Sequence, residues 1–304
     1  MRVIDGDDLR QVLPMTAAID ALEAAFRTGV PAGAPMRSNL ETLAGSLLLM
    51  PASAPDGVGV KLVTLSPDNP GRGLPYINAV YVLFDGVSQL PEAVIDGAAL
   101  TALRTAAVSG LATRWLANGD ARRLVIFGTG VQATSHLDAM VAVRPITHLQ
   151  VISRTEERAR AFARSAQDRG LDASIGHPGS VSDADVVCTC TTSASPLFDG
   201  RLLSDGAHVN AVGTHLPTAR ELDTAAIRRA KVVVETREAA LSEAGELVLA
   251  IDEHAIDDGH VLADLHELTS GRSVRTSRDD VTVFKSVGIA FEDLVIARAL
   301  LDAA

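Results

Sequence analysis

Two cysteines in 304 residues are too few for a disulfide framework. They stand two apart, Cys188 and Cys190, too close for an ordinary disulfide and without the second pair a zinc site requires, so they are read as core packing and no metal site is expected. Positive charge is also in short supply: 27 Lys and Arg against 38 Asp and Glu leave a net charge of −11. Nucleic-acid binding needs clustered cations, and no basic stripe appears, which argues against a nucleic-acid surface. No apolar run reaches the roughly 18 to 20 residues a membrane span needs, so no membrane partner is expected. The opening MRVIDGDDLR lacks a basic stretch followed by an apolar core, and the expected setting is the cytoplasm. Repeats and low-complexity tracts are missing. What the chain does have is core: at 47% hydrophobic content it can build one large domain or two ordinary ones.

Residues 14–28 carry Ile19, Leu22 and Phe26 at helical spacing and predict an amphipathic helix, closed by a loop from Gly29 to Gly33. Short apolar or alternating runs at 37–43, 46–51, 58–65, 76–84 and 90–95 then predict an antiparallel sheet or part of a barrel. A helix is expected over 98–117. Beyond it, strands near 123–127, 148–153, 185–191, 207–212, 231–235 and 281–285 alternate with helical segments, the order a mostly parallel sheet requires. The closing run 288–301 has helical spacing. The fold class expected is thus α/β: a Rossmann-type doubly wound sheet plus an α+β N-terminal domain. The division expected is 1–118, joined by the C-terminal helix 289–304, and 119–288.

The most informative segment is the strand Arg123 to Phe127 running into Gly128-Thr129-Gly130-Val131-Gln132-Ala133. Gly128 permits a tight turn, Gly130 lets backbone approach phosphate oxygens, and Ala133 lets the following helix pack closely. The helix N-terminus offers free N–H groups and the positive end of a dipole. A second strand ends about 20 residues on, at Ser153-Arg154, as a dinucleotide-binding βαβ unit requires.

In the other half, Lys61 sits in a strand with no other charge, and Arg104 in a helix that holds no acid from Gly97 to Asn118. Arg37 opens a strand. A buried cation needs an anionic partner, which is either a distant carboxylate in a structural ion pair or the carboxylate of a small substrate.

These residues and the strings Leu48-Leu-Met-Pro51, Gly59-Val-Lys-Leu-Val63, Asp96 to Ala107, Gly128 to Ala133, Asn210-Ala-Val-Gly213 and Phe284-Lys-Ser-Val-Gly288 resemble the ornithine cyclodeaminase and mu-crystallin family over nearly the whole chain. The resemblance implies an N-terminal domain that binds substrate and builds a homodimer, and a Rossmann domain that binds a nicotinamide cofactor in the cleft between them. It implies that Arg37, Lys61 and Arg104 hold a substrate carboxylate beside Thr105, with Lys61 assisting proton transfer. The implied chemistry is hydride exchange between nicotinamide and the α-carbon of an amino acid or its imine. Candidate cofactor contacts are Gly128, Thr129, Gly130, Val131, Gln132, Ser153, Arg154, Thr155, Thr191, Thr192, Val212 and Gly213.

Two positions narrow this reading. An acid at the end of the second strand would hold the NAD ribose hydroxyls, whereas a cation suits the extra phosphate of NADP. Here the strand ends Ser153-Arg154-Thr155, with no acid before Glu156, so NADP is expected, NAD remaining open. The alternative is a solvated Arg154 with Thr155 capping the next helix. At His215, family members that cyclise ornithine carry an aspartate. A histidine can handle a proton near neutral pH but cannot pair a substrate ammonium as a carboxylate does, and it can equally be a loop imidazole bonded to backbone. The expectation is a reductase of cyclic ketimine carboxylates such as pyrroline-2-carboxylate or piperideine-2-carboxylate, or the reverse dehydrogenase, with His215 among its catalytic residues. Ornithine or lysine cyclodeaminase, alanine dehydrogenase, and an NADP-binding protein without turnover stand as alternatives. The stretch 252–260 reads as a solvated acidic loop, and Lys285 receives no catalytic role.

Overall fold

The computed structural model describes residues 1–31 and 35–303. The end of the expected 29–33 loop and Ala304 of the expected closing helix lie outside the described residues. The chain forms two compact units, Met1–Arg104 with Ile289–Ala304, and Thr105–Gly288.

The first unit runs β1 (Arg2–Ile4), α1 (Gly6–Val12), α2 (Met15–Thr28), β2 (Ser38–Thr42), β3 (Gly45–Ala54), β4 (Gly57–Leu65), β5 (Ile77–Asp85), β6 (Pro91–Asp96) and the start of α3 (Gly97–Leu116). The second holds the rest of α3, then β7 (Arg123–Phe127), α4 (Val131–Val143), β8 (His148–Ile152), α5 (Glu156–Gln167), β9 (Asp172–Ile175), β10 (Val186–Thr189) and β11 (His208–Ala211). It continues through α6 (Thr224–Arg229), β12 (Lys231–Val234), α7 (Arg237–Glu243), α8 (Gly245–Asp252), β13 (Val261–Asp264), α9 (Leu265–Thr269) and β14 (Thr282–Lys285). Helix α10 (Ala290–Ala303) closes the first unit.

The first sheet has the order β1-β6-β5-β4-β3-β2 and is antiparallel except where β1 runs parallel to β6. Strand side chains alternate between faces, and β4 obeys this: Gly57, Gly59, Lys61 and Val63 are buried while Val58, Val60 and Leu62 are half-buried. Helix α10 packs on β3 and β4 and meets α2, where Phe26 and Phe291 cross edge to face at 5.7 Å. Among the first sheet's inward residues are Met50, Lys61, Tyr81 and Ile95, a single cross-strand row in which every member is buried. Strand β1 escaped the sequence reading because three residues are too few to show a period.

The second sheet is wholly parallel, in the order β13-β12-β14-β11-β10-β7-β8-β9. From β7 the chain winds outward through β8 and β9, then returns to the other side of β7 with β10. The switch point therefore lies at the carboxyl ends of β7 and β10, where ligands bind in open α/β sheets. Edge strands β9 and β13 were not expected, since Asp172-Ala-Ser-Ile175 and Val261-Leu-Ala-Asp264 are short and partly polar. The 252–260 stretch begins at the last residue of α8 and ends in a single turn, 258–260.

The division expected at 118/119 falls inside α3 instead, between Arg104 and Thr105. The reason lies in what each half touches. In the first half Gly97 lies against β5, where a Cβ would come 2.7 Å from the Ala79 carbonyl carbon. In the second half Ser109 meets the ring Nε2 of His136 at 3.0 Å, and the Thr113 hydroxyl accepts from the Asn210 amide at 2.8 Å.

Candidate active site

Two of the three cations singled out from the sequence are buried together in the first unit. Lys61 is 1% exposed, and its Nζ lies 2.9 Å from each carboxylate oxygen of Asp293. Arg104 Nη1 donates to Glu292 Oε2 at 2.7 Å, and its Nε is 3.2 Å from Asp293 Oδ1. The structural ion pair that the sequence left open thus exists, and it comes from the first turn of α10. Burial, then the neighbouring guanidinium of Arg104, push the Lys61 ammonium down to about 8, against the opposing pull of Asp293 and Glu292. Tyr81 faces Lys61 across β5, and burial followed by the Asp293 charge raises its phenol well above the usual value. Gly59 is required here, because a Cβ would sit 2.0 Å from the Tyr81 hydroxyl. Arg37 is half-buried and stands one residue ahead of β2. The register Ser38 to Leu49 puts it level with Met50 and hence with Lys61, roughly 10 Å away across two strand spacings. Thr105 follows Arg104 and is 8% exposed.

In the second unit the glycine turn has the expected form. Gly128 adopts φ +112, and a Cβ there would come 2.4 Å from the Cys190 carbonyl oxygen. Gly130 caps α4 with nothing within 4 Å of a Cβ position, and α4 has no side-chain cap of its own. Ala133 is fully buried, Thr129 is half-buried, and Val131 is 69% exposed at the helix start. Gln132 has a buried Oε1 without a hydrogen-bond partner. Open space over a glycine, free helix N–H groups and an exposed apolar side chain fit a dinucleotide pyrophosphate.

At the end of β8, Ser153 is half-buried and Arg154 and Thr155 are exposed. Arg154 makes no hydrogen bond or ion pair among the described residues. Of the alternative reading, Arg154 is solvated and Thr155 does occupy the N-cap position of α5, but it makes no side-chain capping bond, its N–H donating to Ser153 Oγ at 3.3 Å.

The loops after β10 and β11 are tied by an acid the sequence reading missed. Glu221 is fully buried and accepts from Thr191 N–H at 2.8 Å, the Thr191 hydroxyl at 2.6 Å and Gly213 N–H at 2.8 Å. The Thr191 hydroxyl is thereby committed within the protein, while Thr192 is exposed and Val212 half-buried. Glu246 accepts from Glu221 N–H at 2.8 Å and faces Lys285 Nζ at 2.9 Å, which in turn donates to the Thr214 carbonyl at 2.7 Å. His215, half-buried, follows directly. Glu235 binds the next loop, accepting from Ser286 Oγ and from Val287 and Gly288 N–H. Glu292 and Asp293 were missed as well. Their one signal was two adjacent acids at the head of a largely apolar helix.

A parallel sheet with a glycine turn at its switch point defines the second unit as a dinucleotide-binding α/β structure, accompanied in the first by a buried cluster of two cations and two carboxylates. The chain belongs to the ornithine cyclodeaminase/mu-crystallin family, whose model matches residues 4–304. It is 36% identical to a Δ1-pyrroline-2-carboxylate reductase of Bacillus cereus, covering 100% of this chain and 97% of that protein. It is also 36% identical to the ketimine reductase mu-crystallin of Rattus norvegicus, over 97% of this chain and 94% of the relative. Among solved structures, the Δ1-pyrroline-2-carboxylate reductase of Thermococcus litoralis in complex with NADH and L-proline aligns with a TM-score of 0.94 at 33% identity, covering 100% and 97% of the two chains.

Proposed function

We propose that this protein is a nicotinamide-dependent reductase of cyclic ketimine carboxylates such as pyrroline-2-carboxylate or piperideine-2-carboxylate, working in reverse as an imino-acid dehydrogenase. The observation that carries the reading is the pairing of Lys61 and Arg104 in one buried cluster, in a chain related over its whole length to reductases of this kind.

Arg104 offers a fork that holds a substrate carboxylate, Lys61 adds a point charge, and Arg37 a third cation from the same row. Thr105 adds a hydroxyl. Fixing the carboxylate fixes the adjacent C=N carbon, so much of the rate gain comes from positioning and electrostatics. The reduced nicotinamide, when bound, supplies hydride to that carbon. The C=N π pair then becomes an N–H bond, its proton coming from Lys61, whose pKa is lowered to about 8. His215 is the second group able to hold a proton, and without a carboxylate at that position ornithine cyclodeamination is disfavoured.

Backbone N–H groups at the start of α4, with Gly128, Thr129, Gly130, Val131 and Gln132, take the pyrophosphate. Arg154, exposed and unengaged, with Ser153 and Thr155, favours the extra phosphate of NADP over NAD. Thr192, Val212 and the loop held by Glu221 line the nicotinamide end. The half-exposed apolar face of the first sheet, including Leu47, Leu49, Val58, Val60, Leu62, Val80 and Val82, continues to Leu40 and Leu43 at the β2 edge, which are 56% and 111% exposed. A second copy of the chain suits that face, and a homodimer is the proposed assembly; light scattering that returned a monomer at micromolar concentration would refute it.

The deciding assay mixes protein, NADPH and pyrroline-2-carboxylate and follows loss of the reduced cofactor. Turnover of pyrroline-2-carboxylate by the parent, lost in Lys61→Met and Arg104→Met with NADPH binding retained, supports the reading. Ammonia release from ornithine without net cofactor oxidation would replace it with cyclodeamination.

A further inference from the structure

We propose that Asp293 is a positioning residue for this reaction: its carboxylate, clamped between Lys61 Nζ and Arg104 Nε, sets the spacing of the two cations that take the substrate and keeps the ammonium of Lys61 loaded. The inference rests on the function proposed above and adds a residue from the opposite end of the chain to it.

The geometry carries the argument. Both oxygens of Asp293 lie 2.9 Å from Lys61 Nζ, and Oδ1 is also 3.2 Å from Arg104 Nε. Glu292 takes Nη1 of the same guanidinium at 2.7 Å. Two adjacent residues of α10 thus hold a strand residue and a helix residue from the far end of the chain. Asp293 and Glu292 are both fully buried. Two cations against two carboxylates make a cluster that is near neutral at rest, so burying it avoids the penalty of a lone charge. Lys61 has three N–H groups, and the two oxygens of Asp293 take at most two of them in the contacts above.

The charged and titratable groups facing Lys61 are Arg104 from α3, Asp293 and Glu292 from α10, and the phenol of Tyr81 from β5. Of these, burial and Arg104 drive the ammonium toward losing its proton, and Asp293 is the principal opposing group. An amide in place of Asp293 removes that opposition while keeping nearly the same volume. The Lys61 proton then leaves at lower pH.

The test is the pH dependence of kcat for imine reduction in Asp293→Asn, Asp293→Glu and Glu292→Gln. In Asp293→Asn the basic limb moves to lower pH by roughly one unit or more, with kcat at neutral pH down about tenfold and NADPH affinity unchanged. Asp293→Glu restores the limb toward its parent position. Glu292→Gln raises KM for the imine through Arg104 and moves the limb less. A limb that stays in place in Asp293→Asn while kcat scales down uniformly would overturn the proposal and reduce Asp293 to a structural ion-pair partner. Should the amide variant fail to fold, the kinetic constants of Asp293→Glu decide: a changed kcat or KM supports the proposal, and a longer carboxylate that leaves both untouched has no positioning to disturb and overturns it. Failure of the underlying function reads differently: the parent itself would then leave the reduced cofactor unoxidised in the presence of the imine, whatever Asp293 does.

Discussion

Lys61 and Asp293 stand 232 positions apart and meet at 2.9 Å, with 1% and 0% of their side chains exposed. One lies on the inward face of β4 and the other in the first turn of α10, so the closing helix of the chain supplies the counter-ion for a residue of the first sheet. Removing one member of a buried pair typically costs about 3 to 5 kcal/mol, because the remaining charge is left without compensation. Here Arg104 still faces Asp293 when Lys61 is replaced, which softens that cost.

Activity should fall with rising pH as Lys61 loses its proton around pH 8. For imine reduction the competent form is the protonated one, so kcat is highest below that value and declines above it. Lys61→Met should lower kcat by about a hundredfold or more and abolish the limb. A pH profile of the parent that is flat from 6 to 10, with substrate saturating, would count against Lys61 as proton donor.

Arg154 should decide between the two cofactors. In Arg154→Ala the preference for NADPH over NADH should drop by roughly ten- to a hundredfold, the range expected for one hydrogen bond to a charged group. The NADH rate should hardly change. Equal loss with both cofactors would show that Arg154 touches something they share.

Glu221 should matter more to the cofactor than to the imine. Glu221→Gln turns one acceptor into a donor facing the N–H of Thr191 or Gly213, at a cost of about 1 to 3 kcal/mol. Lower thermal stability and a raised KM for the cofactor should appear together. An unchanged cofactor KM in a well-folded variant would mean that the two loops hold their shape without it.

Two buried histidines should make the protein lose stability in acid. Burial pushes His136 down to about 4 and His208 to about 3. Below pH 6.5 the unfolded chain binds these protons and the folded one does not, so stability falls as pH drops from 6.5 toward 4, by at most about 1.4 kcal/mol per unit for each residue. Denaturant melts across that range should show the slope, and His136→Gln should reduce it. A variant with the parent's full slope would place the effect elsewhere.

Gly59 and Tyr81 should be energetically linked. Gly59→Ala forces a methyl to within 2.0 Å of the phenol oxygen, and overpacking of this kind costs about 1 to 3 kcal/mol. Adding Tyr81→Leu should recover part of that loss. Additive losses in the double variant would remove the steric explanation.

The sequence by itself determined the parts that depend on local periodicity and backbone permission. The alternation from Val58 to Leu65, the apolar strand ahead of Gly128, and the need for a glycine where φ is +112 all follow from neighbouring residues, as did the two-part architecture. It also determined that Lys61 and Arg104 require anions, since the apolar surroundings of each are written in the flanking residues. Which anions was decided by tertiary structure. An ion pair needs proximity alone, and nothing in the spacing of α10 distinguishes Glu292 and Asp293 from acids that merely favour the positive end of a helix dipole. Glu221 was hidden for the same reason, its three hydrogen bonds reaching two loops that only the parallel sheet order brings side by side. The division inside α3 belongs to this class too: a continuous helical period runs from Gly97 to Leu116, and only the partners of its two halves reveal where one unit ends.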